Sequence, residues 1–261
     1  MKIGGLQKTT LIDYPGKIAC TVFLVGCNFR CPFCYSPEMV LPELIKKQPG
    51  ISEKDFFDFL EERKGLLEAC VLCGGEPTIN ENLSDFIKKI KKLGYSVKLD
   101  TNGSNPLMLK DLIKKKLIDY VAMDIKAAVS AKIQNLNLKM QNDNLKFKNN
   151  YEKAAGVKVD LEKIKESIEL IKNSDIDYEF RTTLIPSIHT KEDILQIARE
   201  ISSAKKFYLQ NFNTTKPLLN SFFPSGSVST GQRQKIKPFR EEYLLEIKKE
   251  ISPFFEFCGI R

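Results

Sequence analysis

The sequence predicts a parallel α/β fold, a partial (β/α)6 barrel, on three observations. From about residue 17 to residue 213, short apolar segments rich in β-branched residues alternate with segments of helical period. Such alternation builds parallel strands joined by right-handed crossovers. The rhythm is interrupted once, at a polar stretch near residues 129–155, and resumes afterwards. With 261 residues and 42% hydrophobic content, the chain is long enough for one sizeable core.

Residues 17–25, KIACTVFLV, read as a buried strand ending at Gly26. In residues 52–63, SEKDFFDFLEER, Ser52 and Asp55 have capping-box spacing, and Phe56, Phe57 and Leu60 recur at helical intervals. Strands are then expected at 69–73, 95–100 and 118–124, with helices at 83–93 and 107–116 between them. The stretch 129–155, which contains QNLNLKMQNDNLKFKNNYEK, has no steady period and reads as an inserted loop, or alternatively as a flap for a partner. Leu161, Ile164, Ile168 and Ile171 share one face of a further helix, followed by a strand at 178–185. Thr190 and Asp193 make a second capping box for a helix running to about Ile201, and 206–210 is the sixth parallel strand. Residues 213–231 are rich in turn formers and should be loop; a helix near 239–251 and the apolar end PFFEFCGIR close the chain. One domain over 1–261 is expected, with its core at about 17–213, the insertion at 129–155 and a C-terminal extension at 214–261.

No apolar run reaches the ~18–20 residues that span a bilayer, and the opening MKIGGLQKTT lacks a signal-peptide core, so a cytoplasmic protein with no membrane partner is expected. The net charge of +8 comes from lysines scattered among Asn and Ile. That pattern fits biased composition better than a nucleic-acid surface, and leaves an acidic electron-transfer protein as a reasonable partner. Seven cysteines, an odd number in a chain of this class, argue for metal binding or catalysis over disulfides. The one histidine, His189, excludes zinc sites that need two, and is expected on a surface loop.

Cys27, Cys31 and Cys34, in CNFRCPFC, place three thiolates in a loop just after the first expected strand. Thiolates are the soft ligands that iron–sulfur clusters take, and three of them leave one iron of a cubane open to a substrate. Zinc is the competing reading, but it usually takes four ligands in paired C-x-x-C spacing, and no second suitable pair exists. Cys70 and Cys73 do form C-x-x-C, yet they sit on an apolar strand and read as buried side chains.

CNFRCPFC, followed by CGGEP at 73–77, resembles the radical S-adenosylmethionine (SAM) superfamily, with Phe33 at the apolar position of its cysteine motif. The resemblance implies a 4Fe–4S cluster on Cys27, Cys31 and Cys34, SAM chelating the open iron, Phe33 and Tyr35 beside SAM, and Gly74, Gly75 and Glu76 at its amino group. Glycines allow close backbone approach and a carboxylate suits an ammonium, so the residue types agree. GLQKTTLIDYPGK at 5–17, LDTNG at 99–103 and MDIK at 123–126 are similar to motifs of glycyl-radical-enzyme activating proteins, in particular those of anaerobic ribonucleoside-triphosphate reductase and pyruvate formate-lyase. That similarity implies Asp100, Thr101 and Asp124 near a monovalent cation, and Lys126, Arg181 and Asn213, with Gln210 and Phe212, around SAM. It also implies a flavodoxin- or ferredoxin-like electron donor, reductive cleavage of SAM to a 5′-deoxyadenosyl radical, and a glycine of a partner enzyme as the hydrogen donor. The chain departs from the activases where Tyr35, Ser36 and Pro37 follow the last cysteine, which bears on SAM contacts and on the partner. A small-molecule radical SAM enzyme, such as a 7-carboxy-7-deazaguanine synthase, is the alternative, and a non-catalytic iron–sulfur or zinc module is a more distant one.

Overall fold

The computed structural model describes residues 1–130, 147–213, 218–219 and 236–261. Most of the expected insertion and of the 213–231 loop, and with them the flap reading, lies outside the described residues. Among the described residues eight strands are seen: β1 (Ile3–Thr10), β2 (Ala19–Leu24), β3 (Ala69–Gly74), β4 (Ser96–Thr101), β5 (Tyr120–Asp124), β6 (Asp177–Leu184), β7 (Lys206–Asn211) and β8 (Phe257–Ile260). The α-helices are α1 (Pro37–Val40), α2 (Pro42–Ile45), α3 (Glu53–Glu62), α4 (Leu83–Lys92), α5 (Pro106–Lys114), α6 (Asn150–Ala155), α7 (Leu161–Lys172), α8 (Lys191–Glu200) and α9 (Glu241–Ile251). The chain divides into two compact units.

One unit comprises Met1–Asn28, Ser36–Asp124 and Glu166–Glu179. Its strands β2 to β5 are parallel neighbours in chain order, and β1 runs antiparallel along the outer edge of β2. β2 and β3 are buried almost throughout, as parallel strands covered on both faces must be. α4 turns Leu83, Phe86, Ile87 and Ile90 inward. α3 buries Phe56, Phe59 and Leu60; Phe57, expected on that face, is only half-buried and meets the edges of the Phe56 and Phe86 rings.

The edge strand β1 was not expected from sequence, because its alternation is broken by Gly4 and Gly5 and only Ile3 and Thr10 are buried. Its pairing of Thr10 with Ala19 carries the LIDYPGK loop to the N-terminal ends of the parallel strands. There the Thr21 hydroxyl donates to Asp13 at 2.7 Å and the Lys17 ammonium donates to Ser96 at 2.8 Å. Tyr14 packs with Ala19, Ala69, Val71 and Tyr120. This loop therefore closes the end of the strands opposite to the one from which the cysteine loop leaves.

The other unit comprises Phe29–Tyr35, Ile125–Lys165 and Phe180–Arg261. Here β6, β7 and β8 are parallel, Phe180–Leu184 pairing with β7 and β7 with β8. The short apolar end of the chain is thus a further strand: Cys258 pairs with Phe207 and is buried. The tail of the expected insertion is also ordered core. α6 buries Tyr151, Glu152, Ala154 and Ala155, capped by the Asn149 side chain at one end and by Gly156 in the left-handed region at the other. Polar composition hid it, since Asn149 and Glu152 act in capping and Asn150 bonds Asp193, so these residues do not form a solvated face. The expected capping box of Thr190 and Asp193 opens α8.

Candidate functional site

β2 ends at Leu24, and Gly26 donates its N–H to the Met39 carbonyl at 2.7 Å, which turns the chain into the cysteine loop. Gly75 and Glu76 donate to the carbonyls of Leu24 and Gly26, both at 2.8 Å. A β-carbon on Gly74 would stand 2.5 Å from the Leu24 oxygen, and one on Gly75 would stand 1.9 Å from the Gly26 oxygen. Gly74 also holds φ +108°, which suits only glycine. The absence of side chains at Gly74 and Gly75 thus permits a close approach of chain to chain.

Glu76 is 1% exposed. One carboxylate oxygen accepts from the Thr78 N–H at 3.1 Å and hydroxyl at 2.5 Å and from the Thr101 hydroxyl at 2.7 Å; the other accepts from the Asn102 N–H at 2.6 Å. Burial pushes the Glu76 carboxyl up, opposed by the bonds from Thr78, Asn102 and Thr101. Asn102 donates onward to Asn28 at 3.0 Å, and Asn28 to Ser104 at 2.8 Å. The GGEP and DTNG loops are therefore one hydrogen-bonded structure centred on a carboxylate. The Glu76 carboxylate accepts from Thr78, Thr101 and Asn102 and so ties the two loops together.

Asp100 is half-buried and ion-paired with the Lys98 ammonium two residues earlier on the same face of β4. Lys98 is itself 2% exposed and lies over the Tyr120 ring, whose hydroxyl donates to the buried Glu179 at 3.0 Å. Thr101 spends its hydroxyl on Glu76 and accepts from Gly103 at 3.1 Å. Asp124 closes β5, half-buried. Sequence reading missed Lys98; a lysine in a run of apolar strand residues two positions before an aspartate is the signal that could have found it.

In the other unit, Cys31 and Cys34 share a turn closed by the Cys34 N–H on the Cys31 carbonyl at 3.0 Å. Phe33 is buried with Ala154, Ile185, Ile188 and Phe212, and Cys31 and Tyr35 pack against this cluster. Tyr35 stacks on Phe212 with centroids 6.5 Å apart, and its hydroxyl accepts from the Asn213 N–H at 2.7 Å. Arg30 donates to the Ala155 carbonyl at 2.8 Å, and a β-carbon on Gly156 would stand 2.0 Å from the Arg30 oxygen, so the end of α6 seats the cysteine loop. Arg181 is on β6, where its carbonyl accepts from Ile125 at 2.8 Å, and Gln210 accepts a long bond from Thr183 at 3.5 Å. Lys126 is half-buried, and its carbonyl is bonded to His189. His189 is 2% exposed, which corrects its expected place on the surface: its ring lies between two loops and both nitrogens are bonded.

Among the described residues, no three His, Cys, Asp or Glu side chains are drawn together as a metal site. The chemistry of the donor set fits an iron–sulfur cluster: three thiolates in one short loop, with the buried aromatic residue Phe33 between the second and third of them in sequence.

A family profile described as the radical SAM superfamily matches residues 21–201. The chain belongs to the radical SAM superfamily, and it is an enzyme of that class, with a 4Fe–4S cluster and SAM as cofactors. It is 33% identical over 218 residues to a protein of Methanocaldococcus jannaschii whose name assigns it provisionally to the glycyl-radical enzyme activating enzymes, covering 80% of this chain and 79% of that one. It is 31% identical over 135 residues to the pyruvate formate-lyase-activating enzyme of Clostridium pasteurianum, covering 48% and 52%. Among solved structures, Streptococcus suis SuiB superposes on 92% of this chain with a TM-score of 0.59 at 13% identity, and this chain spans 48% of SuiB. A TYW1 structure superposes on 90% of the chain with a TM-score of 0.52 at 18% identity. These likenesses bear on the fold, which is the α/β, radical SAM partial-barrel class expected from sequence. No helix among the described residues is long and apolar enough to cross a membrane.

Proposed function

We propose that this enzyme is an activase that installs a glycyl radical on a partner enzyme, and that the partner is an anaerobic ribonucleoside-triphosphate reductase. The observation that carries the reading is the extent of similarity. The match to the M. jannaschii protein runs along 80% of this chain, whereas a 7-carboxy-7-deazaguanine synthase of Neisseria meningitidis aligns with 46% at 32% identity. The choice of reductase rests on the GLQKTTLIDYPGK resemblance alone.

Cys27, Cys31 and Cys34 would hold the cluster; Phe33, Tyr35, Arg181 and Asn213 would line SAM; and Lys126 would meet its carboxylate. Gly74, Gly75 and Glu76 would offer backbone groups to its amino end, with the Glu76 side chain fixing the loop. Asp100, Thr101 and Asp124 would stand near a monovalent cation. When bound, the cluster and SAM together supply reductive cleavage of SAM and abstraction of a hydrogen atom, and a flavodoxin- or ferredoxin-like protein would supply the electron. The chain's own task is to orient SAM and exclude competing reactions. We take residues 1–261 as one catalytic domain in the cytoplasm, since the family match runs through segments of both units.

The test is to incubate reduced enzyme and SAM with an anaerobic ribonucleotide reductase and record electron paramagnetic resonance. A doublet from a glycine-centred radical on the reductase is expected. Release of 5′-deoxyadenosine driven by a small metabolite that is itself altered, with no such doublet on any glycyl-radical enzyme, would replace the activase reading with the small-molecule one.

A further inference from the structure

The chain has one histidine, and it is buried in the turn between β6 and α8. The Ile185 N–H donates to Nδ1 of His189 at 2.9 Å. A backbone N–H can only donate, so Nδ1 carries no proton and the ring's single proton sits on Nε2. Nε2 lies 2.8 Å from the Lys126 carbonyl, which can only accept. The two bonds therefore agree on one tautomer, and the ring ties the segment after β5 to the turn after β6. Burial holds the ring below the usual histidine range, opposed by its bonds to Lys126 and Ile185 and by the nearby Asp193 carboxylate.

The segment being tied carries little of its own regular structure. It is held at Ile125 by the Arg181 carbonyl, and at Val129 and Ser130 by the Glu200 carboxylate, at 2.6 and 2.9 Å. Between those anchors, the His189 bond fixes the peptide that follows Lys126. Lys126 is half-buried, while Ala127, Ala128 and Val129 are in the core.

We propose that His189 is a positioning residue for Lys126, its Nε2–H holding the Lys126 carbonyl so that the ammonium is presented to the carboxylate of SAM. This rests on the reading that Lys126 meets SAM. A purely structural role would instead make any loss of the ring show as lost stability, whichever bond survived.

The two bonds can be separated, because Gln places an amide nitrogen near the position of Nε2 whereas Asn places its amide oxygen near Nδ1. His189→Gln keeps the bond to Lys126, and His189→Asn keeps the bond from Ile185. With cluster-reconstituted protein, His189→Asn is expected to weaken SAM binding by calorimetry about tenfold, at unchanged iron content, and to raise KM for SAM with little change in kcat. His189→Gln is expected to stay within about twofold of wild type. Equal SAM affinity in Asn, Gln and wild-type proteins, or equal weakening in both variants, overturns the proposal. Lys126→Ala is the reference: if it binds SAM like wild type, the Lys126 reading itself has failed.

If the variants do not fold, nitrogen NMR of the wild type decides, since one histidine gives one set of signals. The Nε2–H tautomer, unprotonated at neutral pH, is expected; an Nδ1–H tautomer overturns the geometry. Acid supplies a further check. Protonating Nδ1 sets two donors face to face at Ile185, and the folded value lies below the unfolded ~6.5. The clamp's stabilisation is therefore complete above that value and is lost as pH falls through the lowered folded one. SAM affinity should fall over the same acidic window in wild type and not in His189→Asn, in which no ring titrates.

Discussion

Around Glu76, four hydrogen bonds from Thr78, Thr101 and Asn102 converge on a single buried carboxylate, and a chain of amides carries the network on to Asn28 and Ser104. The segment Phe29–Tyr35 is held otherwise: Phe33 is packed among apolar side chains, Tyr35 lies on Phe212, and α6 contributes one backbone bond and a glycine against which Arg30 rests. The polar region is fixed by direction and the apolar region by shape. Losing one group from the first strands several donors in a dry place, whereas losing one from the second leaves a gap that neighbours can partly fill. Loops that must present backbone groups at fixed angles gain from the first kind of support, and a loop that must accept a bulky inorganic group can use the second.

The largest expected effect sharpens the contrast from the ligand side. Replacing Cys27, Cys31 or Cys34 by Ala should abolish cluster assembly and all SAM cleavage, taking iron from about four per chain to near none. Cys70→Ala and Cys258→Ala should keep their iron, since Cys70 is wholly buried on β3 and Cys258 lies within β8. Iron and sulfide assays after anaerobic reconstitution check this. Loss of iron in Cys70→Ala with retention in Cys31→Ala would move the metal site altogether.

Next comes the carboxylate. Glu76→Ala leaves the Thr78 and Asn102 N–H groups and two hydroxyls without their acceptor in the interior, and should cost about 3 kcal/mol or more. Glu76→Gln retains the shape but turns an amide N–H₂ towards at least one of those donors, and should cost roughly 1–3 kcal/mol. Denaturant unfolding measures both. If Glu76→Ala is as stable as wild type while its SAM affinity collapses, the side chain serves the ligand and not the loop.

Much of this was legible in the sequence because local chemistry and tertiary structure agree there. The alternation of β2 to β7 with α3, α4, α5, α7 and α8 follows from apolar period, and Ser52 and Thr190 cap the helices their spacing announces. β1 and β8 were not legible as strands: β1 is an edge with two glycines, and β8 is only four residues long. α6 was hidden by the polar residues that cap it, and the burial of His189 depends on Ile185 and Lys126 meeting, which no spacing reveals. The cysteine and GGEP motifs marked the candidate site, but not the contacts that Gly74, Gly75 and Glu76 make within the chain. Their partners, Gly26, Thr101 and Asn102, lie on other segments, at or just beyond strand ends, and are brought to them only by strand pairing.

A smaller effect probes how shape supports the cysteine loop. Gly156 caps α6 at φ +69° with the Arg30 carbonyl in the place a β-carbon would take. Gly156→Ala should therefore cost about 1–2 kcal/mol for the left-handed conformation alone, and more for the displaced Arg30. Because Arg30 precedes Cys31, the displacement should also slow iron incorporation and make the cluster more easily lost to a chelator. Equal chelation rates in Gly156→Ala and wild type would show that α6 has no part in seating the loop.

The smallest expected effect concerns Tyr35, the residue at which the chain departs from the activases it resembles. Its hydroxyl accepts from the Asn213 N–H at 2.7 Å, and its ring lies on Phe212. Tyr35→Phe removes the acceptor and keeps the ring. Asn213 is exposed, so water can take over its N–H, and the net loss should be that of one ordinary hydrogen bond at a wet site, under about 1 kcal/mol. Phe also keeps the stacking, so iron content should be unchanged. The comparison with Glu76 makes the result informative: equally short bonds should differ severalfold in cost because one set is dry and the other is not. Should Tyr35→Phe cost more than about 2 kcal/mol in denaturant unfolding without SAM, the hydroxyl is supporting more than Asn213. If instead it leaves stability untouched but weakens SAM binding by calorimetry, the hydroxyl exchanges Asn213 for the ligand when SAM enters.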